Sequence, residues 1–479
     1  MNGKSVTTNL IWRFLERCGA QGISFLVSII LARLIVPEAY GTIALVTVFT
    51  AIMQVFVDSG LGNALIQKKD ADDLDYSTVF FFNFGVCIIL YGLMYLVAPF
   101  IAAFYELPEL TPVVRVLSLI LIISGVKNIQ QAYVSKNMLF KRFFFATIGG
   151  TLVSAIVGVV MAYMGYGVWA LVAQNLVNAT MDTVILWITV KWRPKLMFSF
   201  KRLKGLFSYG WKLLASALLD KVYAEIRQLI IGKMYTSSDL AFYNKGNQLP
   251  YMVVTNINTS IDSVLLPSMS SEQDDKTRIK SMTRRAIKTS TYVMAPLMMG
   301  LACTADKVVE LLFTETWLPC VPYMQIFCIT FIFYPIHTAN LNAIKAMGRS
   351  DYFLKLEIIK KCVGIVVLVL TMWYGPFIMC ASELLMTFTS QIINASPNKK
   401  LLNYSILEQW KDIAQGILLA TVMGIMVWML GRWLPFPNII ALIIQVMTGV
   451  VIYILGSVLF KLESFDYILS IVKKIVKKG

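Results

Sequence analysis

Apolar runs long enough to cross a bilayer recur from one end of this 479-residue chain to the other. A hydrocarbon core of about 30 Å takes about 20 residues of helix. Inside it every backbone polar group must be satisfied within the segment, which leaves a helix as the simplest spanning form for runs of this length. Only 15% of the residues are charged and 57% are hydrophobic, against about 25% charged in an ordinary soluble domain. The chain therefore reads as an all-α polytopic membrane protein. Fourteen transmembrane helices are expected, near 8–31, 41–64, 78–100, 110–132, 143–163, 167–190, 206–231, 245–267, 285–303, 320–342, 354–373, 376–395, 411–431 and 438–460. The first, seventh and eighth are polar enough for a hydropathy window to miss them.

The connecting loops predict an orientation. With fourteen spans, 29 Lys and Arg fall in loops on the side of the termini and 5 in loops on the other side. Cytoplasmic loops carry the excess of Lys and Arg, so both termini are expected in the cytoplasm. The opening run holds Arg13, Glu16 and Arg17 and lacks a small-residue cleavage site, so it is expected to stay as a span rather than act as a signal peptide.

Within this apolar chain the seventh span, Ser208 to Ile231, carries Lys212, Asp220, Lys221, Glu225 and Arg227. Ionisable groups at bilayer depth are costly and face a bundle interior or a watery cavity. At about 100° per residue, Lys212, Ser216, Asp220, Tyr223 and Arg227 share an arc of about 80°. Lys221 and Glu225, four apart on the other side, are placed to pair. On the first span Asn9, Arg13, Glu16, Arg17, Ala20 and Ser24 share an arc of about 100°. Spans two and eight add polar faces with Thr47, Gln54 and Asp58, and with Gln248, Thr255, Thr259 and Asp262. Arg115, Lys127, Lys360 and Lys361 lie close enough to span ends to snorkel.

An internal repeat links these spans. Asp58-Ser59-Gly60-Leu61 ends the second span and Asp262-Ser263-Val264-Leu265 the eighth. Ala39-Tyr40 is matched by Ala241-Phe242-Tyr243, and Tyr166-Gly167-Val168-Trp169 by Tyr374-Gly375-Pro376-Phe377. Two six-helix bundles are expected, at 1–200 and 201–400, related by a pseudo-twofold axis along the membrane normal with the substrate path between them. Helices thirteen and fourteen, 401–460, fall outside the repeat. The tail 461–479 reads as a basic amphipathic helix drawn to anionic lipid.

Several classes are excluded by composition and spacing. The seven cysteines show no CxxC pair and the chain has one histidine, His337, so no metal site, cofactor or disulfide framework is expected. No GxxxxGK[ST] phosphate loop occurs. The net charge of +16 sits beside membrane spans and predicts no nucleic-acid partner. Loops of about 15–20 residues at most leave no room for a glycosyltransferase site, so no enzyme is expected.

The runs ARLIVPEAYGTIAL at 32–45, FVDSGLGNALIQKKD at 56–70, APFIAAFYELPEL at 98–110, FKRFFF at 140–145, GYGVWALVAQ at 165–174 and MYTSSDLAFYNKGNQLP at 234–250 carry a resemblance. The chain resembles the polysaccharide-exporter branch of the multidrug/oligosaccharidyl-lipid/polysaccharide superfamily, with Wzx-type lipopolysaccharide biosynthesis proteins and teichuronic-acid exporters as the nearest likeness. The resemblance covers about residues 5–390. It implies an inner-membrane flippase for undecaprenyl-diphosphate-linked oligosaccharide, a lipopolysaccharide O-unit or related precursor, working by alternating access. Membrane lipids, a polysaccharide polymerase and glycosyltransferases are the implied partners. No motif is carried over residue by residue.

On the residues alone, a diphosphate needs cations, and Arg grips phosphate oxygens bidentately. Arg13, Arg17, Lys212 and Arg227 are the diphosphate candidates. Asn9, Gln54, Tyr223, Gln248 and Thr259 are candidates for sugar hydroxyls, and Glu16, Asp58, Asp220 and Asp262 for ion coupling. The competing account of the cations is internal pairing, Arg13 or Arg17 with Glu16 and Arg227 with Asp220. The competing function is a cation-coupled small-molecule antiporter of the multidrug (MATE-like) branch, which calls for a cavity dominated by carboxylates.

Overall fold

The computed structural model describes residues 3–476 apart from 59 and 434, with side chains from residue 12 onward except 13, 14, 208, 209, 471, 472 and those after 473. Every regular element among them is helical. The chain forms two compact units, Met1–Ala241 and Phe242–Gly479.

The first unit contains α1 (Gly3–Leu34), α2 (Pro37–Asp58), α3 (Leu61–Gln67), α4 (Asp73–Tyr105), α5 (Leu110–Leu117), α6 (Leu119–Lys136), α7 (Phe140–Tyr163), α8 (Val168–Thr189) and α9 (Phe200–Met234). Then α10 (Ser237–Ser270) begins at its end and runs on into the second unit. The second unit continues with α11 (Lys276–Cys303), α12 (Ala305–Leu312), a 3₁₀ turn at Glu315–Cys320, α13 (Val321–Ile332), α14 (Tyr334–Ala346), α15 (Ser350–Thr371), α16 (Pro376–Leu402), α17 (Ile406–Trp433), α18 (Asn438–Leu459) and α19 (Glu463–Val476).

By length and composition ten of the described helices can cross a membrane, eleven when α11 and α12, bent by 68° at their junction, count as one span. The chain is thus a multi-pass membrane protein. The three other expected spans coincide with α9, α10 and α15. These are long enough, at 35, 34 and 22 residues, but too rich in polar side chains to qualify on composition.

Local chemistry explains several boundaries. Pro37 opens α2, where its missing N–H costs nothing. Asp72 and Asp75 form a reciprocal capping box at the start of α4, each carboxylate accepting the other residue's backbone N–H, at 2.9 and 3.2 Å. That satisfies two of the donors a helix start leaves open. Gly41 lets α2 approach the start of α10: a Cβ there would lie 1.8 Å from the Ser237 carbonyl oxygen. Ser238 Oγ donates to Glu38 Oε1 at 2.8 Å across the same junction.

α9 packs on α2, α3 and α4. Gly232 is one close point, where an added Cβ would meet Leu45 at 2.2 Å. The segment leading into α9 is pinned by charge. Asp75 is fully buried and accepts from Lys68 and, at 3.3 Å, from Arg202 at the start of α9. Trp192 Nε1 donates to Asp73 at 3.1 Å, and Gln130 Nε2 donates to the Trp192 carbonyl at 3.0 Å. The core beneath holds Leu61, Leu65, Tyr76, Phe80, Ile129 and Trp192.

Three of the four charges expected near span ends have partners on a neighbouring helix or turn. Lys127 on α6 bonds Asp182 on α8 at 2.9 Å. Lys360 bonds Glu357, one turn away, at 2.5 Å. Arg115 stacks on the Tyr95 ring at 4.2 Å and donates to the Tyr95 carbonyl at 3.2 Å. All seven cysteines are unpaired.

Candidate functional site

In the first unit the charged faces of α1 and α9 carry the expected cations. Arg17 is exposed and has no ion pair among the described residues. Glu16, its neighbour in sequence, is turned inward: it is buried at 8% exposure and accepts from Thr147 Oγ1 of α7 at 3.4 Å. The expected arc placed the two together, yet the 100° between successive residues sends one into the α1–α7 packing and the other out. The side chains of Asn9 and Arg13 lie outside the described residues.

On α9, Lys212 and Asp220 are exposed, while Tyr223 and Arg227 are half-buried. Lys212 has no ion pair among the described residues. Asp220, Tyr223 and Arg227 each make a polar, ring or electrostatic interaction with a neighbouring group. Lys221 pairs with Glu225 at 2.7 Å, as its spacing predicts, and Gln228 Nε2 adds a second donor to Glu225 at 2.5 Å. The carboxylate is thereby used up on the far side of the helix, and the Lys212 side keeps its charge. From Trp211 to Leu219 only Leu214 and Leu218 are half-buried and the rest are exposed.

The carboxylates ending α2 and lying on α10 share one arrangement. Asp58 Oδ1 accepts from Asn128 Nδ2 of α6 at 3.1 Å, with Gln54 Nε2 four residues earlier at 3.4 Å. Asp262 Oδ1 accepts from Asn342 Nδ2 of α14 at 2.8 Å, and Asn258 sits four residues earlier. In the second unit this arrangement borders a cavity of about 210 Å³ lined by Asn258, Thr259, Asp262, Thr338, Asn342 and Lys345, with Leu341 the single apolar member. Thr259 and Asp262, read from sequence, therefore share one site. Gln248, further toward the start of α10, is half-buried and engaged with a neighbour.

Sequence reasoning missed Asn128, Thr338, Asn342 and Lys345. The available signal was the repeat: an amide four residues before the aspartate in both halves, and an asparagine on the second expected span after it. His337 is taken up by the core of the second unit, its Nδ1 lying 3.3 Å from Asn394 Nδ2. Among the described residues no group of three or more His, Cys, Asp or Glu could hold a metal ion.

Long apolar helices interrupted by charged and amide-bearing faces define a class, the polytopic membrane proteins with polar sites built inside helix bundles. The same fold occurs in the lipid II flippase MurJ in an inward closed conformation, with a TM-score of 0.76 at 13% identity over 94% of this chain and 98% of that one. It occurs again, at a TM-score of 0.63 and 14% identity over 80% and 94%, in an inward-facing multidrug resistance MATE family transporter of the MOP superfamily. The profile of the family described as polysaccharide biosynthesis protein matches residues 30–322, more than half of the chain, and the chain belongs to that family. Teichuronic acid biosynthesis protein TuaB of Bacillus subtilis is 27% identical over 304 residues, 63% of each chain. Succinoglycan biosynthesis transport protein ExoT of Rhizobium meliloti is 23% identical over 317 residues, 66% of this chain and 64% of that one. The chain thus spans under two thirds of the length of these two relatives.

Proposed function

We propose that this protein is a flippase that moves undecaprenyl-diphosphate-linked oligosaccharide, a lipopolysaccharide O-unit or related surface polysaccharide precursor, across the bacterial inner membrane. The observation that carries the reading is the pair of exposed, unbridged cations Arg17 and Lys212 on two polar helices of a multi-pass membrane protein. Nothing in a purely structural span calls for them, whereas a lipid diphosphate does. Membership of a polysaccharide biosynthesis family and the transport role in the ExoT name support it.

In this reading the chain has fourteen spans with both termini cytoplasmic. Bundles at 1–200 and 201–400 repeat one another, 401–460 adds two helices, and the tail from 461 lies on the cytoplasmic surface. Arg13, Arg17, Lys212 and Arg227 hold the diphosphate, and the lipid tail stays in the bilayer. Asn9, Gln54, Tyr223, Gln248 and Thr259 bond sugar hydroxyls. Glu16, Asp58, Asp220 and Asp262 are the groups for an exchanged proton or sodium ion. A polymerase and glycosyltransferases act before and after it. The small-molecule antiporter is the weaker reading, because such a site calls for carboxylates in excess and the cations of α1 and α9 outnumber their acids.

The test is genetic and biochemical. In a deletion strain, lipid-linked glycan is expected to accumulate facing the cytoplasm. Arg17→Ala and Lys212→Ala are each expected to restore less than a tenth of the export that the wild-type gene restores, with resistance to small cationic drugs unchanged. Full export by the double variant rules out the diphosphate role.

A further inference from the structure

We propose that the cavity beside Asp262 is a subsite for a single sugar ring, held through its hydroxyls. This rests on the transport reading above and assigns one part of the cargo to one place in the second unit. The lining decides among ligand chemistries. Lys345 and Asp262 are one cation and one anion, so the cavity carries no net charge to select a phosphate. Its remaining polar groups are neutral: Asn258, Thr259, Thr338 and Asn342. Carboxamides and hydroxyls offer donors and acceptors side by side, which is the pattern a polyhydroxylated ring presents in return. A single leucine leaves little for an apolar ligand.

The groups are held in place before any ligand arrives. Asn342 is buried at 1% exposure and donates to Asp262 at 2.8 Å, which fixes both side chains. Lys345 lies over the Phe353 ring with its ammonium 4.6 Å from the centroid. At about 30 Å³ per water in the liquid, a volume of about 210 Å³ holds roughly seven waters. That is room for one ring, and Thr259, Asp262 and Lys345 are exposed at its rim, which leaves a way out for the rest of a glycan. The bond from Asn342 to Asp262 has a counterpart in the first unit, where Asn128 donates to Asp58 at 3.1 Å.

The experiment uses the full-length protein in detergent and saturation-transfer NMR with methyl glycosides of glucose, galactose and mannose and with N-acetylglucosamine. At least one is expected to bind, and Asp262→Asn and Thr338→Val are each expected to weaken it at least fivefold. Thr338→Val keeps the shape of the side chain, and the thermal midpoint of each variant is recorded beside the binding. Absence of binding by every glycoside, binding indifferent to both variants, or displacement by inorganic pyrophosphate overturns the subsite. Translocation of lipid-linked oligosaccharide is scored separately. Normal translocation by variants that bind no glycoside overturns the subsite and leaves the transport reading standing. Glycoside binding by a wild-type protein that moves no lipid-linked glycan upholds the subsite and removes the transport reading.

Discussion

Asp75 shows how much one side chain can hold. It caps α4 together with Asp72, accepts from Lys68 and Arg202, and is wholly buried, while the side chains of those two cations are 30% and 40% exposed. Removing one partner of a buried pair leaves the others uncompensated, which costs about 3–5 kcal/mol when the pair is fully enclosed. With both cations partly solvated, Asp75→Ala is expected to cost roughly 2–3 kcal/mol, read as a lowered thermal midpoint in detergent. Contacts of this kind were only partly legible beforehand. Lys221 with Glu225 could be read from a spacing of four on one helix. Lys127 with Asp182, and Asp58 with Asn128, join different helices across 55 and 70 residues, and helical periodicity carries no information about which neighbour a face will meet. Glu16 makes the same point: its arc was predictable, its turn toward Thr147 was not.

Among the elements, the tail helix α19 is the one with a pH-dependent tether. Glu463 at its start bonds Lys288 of α11, and Arg285 lies over the Tyr467 ring at 5.0 Å. The Lys288 ammonium, by hydrogen bond and charge, holds the Glu463 carboxyl below its ordinary value. A carboxyl depressed in the docked state contributes its full stabilisation above its ordinary pKa of about 4.3 and loses it as pH falls through the depressed value. The tail is therefore expected to be docked at neutral pH and to loosen in acid, once the pH falls below the ordinary carboxylate range. Lys288→Met should loosen it at pH 7 as well. A spin label at Ser470→Cys, with the exposed Cys18 and Cys362 replaced by Ser, reports the change as increased mobility. The existence and character of this helix were readable from its apolar face and lysines. Its docking on α11 was not, since Lys288 lies 175 residues away.

At the scale of the molecule, long apolar helices were the easiest feature to read, and ten or eleven of them are plain on composition alone. The polar helices α9 and α10 needed the argument from charge placement and the repeat; α1, expected to be as polar, passes on the apolar stretch Leu15–Leu34, whereas α15, read as an ordinary span, does not pass. Transport of a diphosphate-bearing lipid has an electrical signature. An inside-negative potential favours outward movement of anions by roughly 2.3 kcal/mol per charge per 100 mV. If charge moves with the cargo uncompensated, collapsing the potential in right-side-out vesicles is expected to slow outward translocation more than tenfold. An unchanged rate points to a coupled ion that cancels the charge. The polar character of α9 also bears on how the protein is made. A nascent segment with five ionisable residues between 212 and 227 is rejected by lipid when it leaves the ribosome alone, and its docking surface on α2, α3 and α4 must already be assembled. A chain begun at residue 200 is therefore expected to leave this segment outside the bilayer, as glycosylation mapping would reveal, and the order of synthesis becomes part of how a charged helix is brought into the membrane.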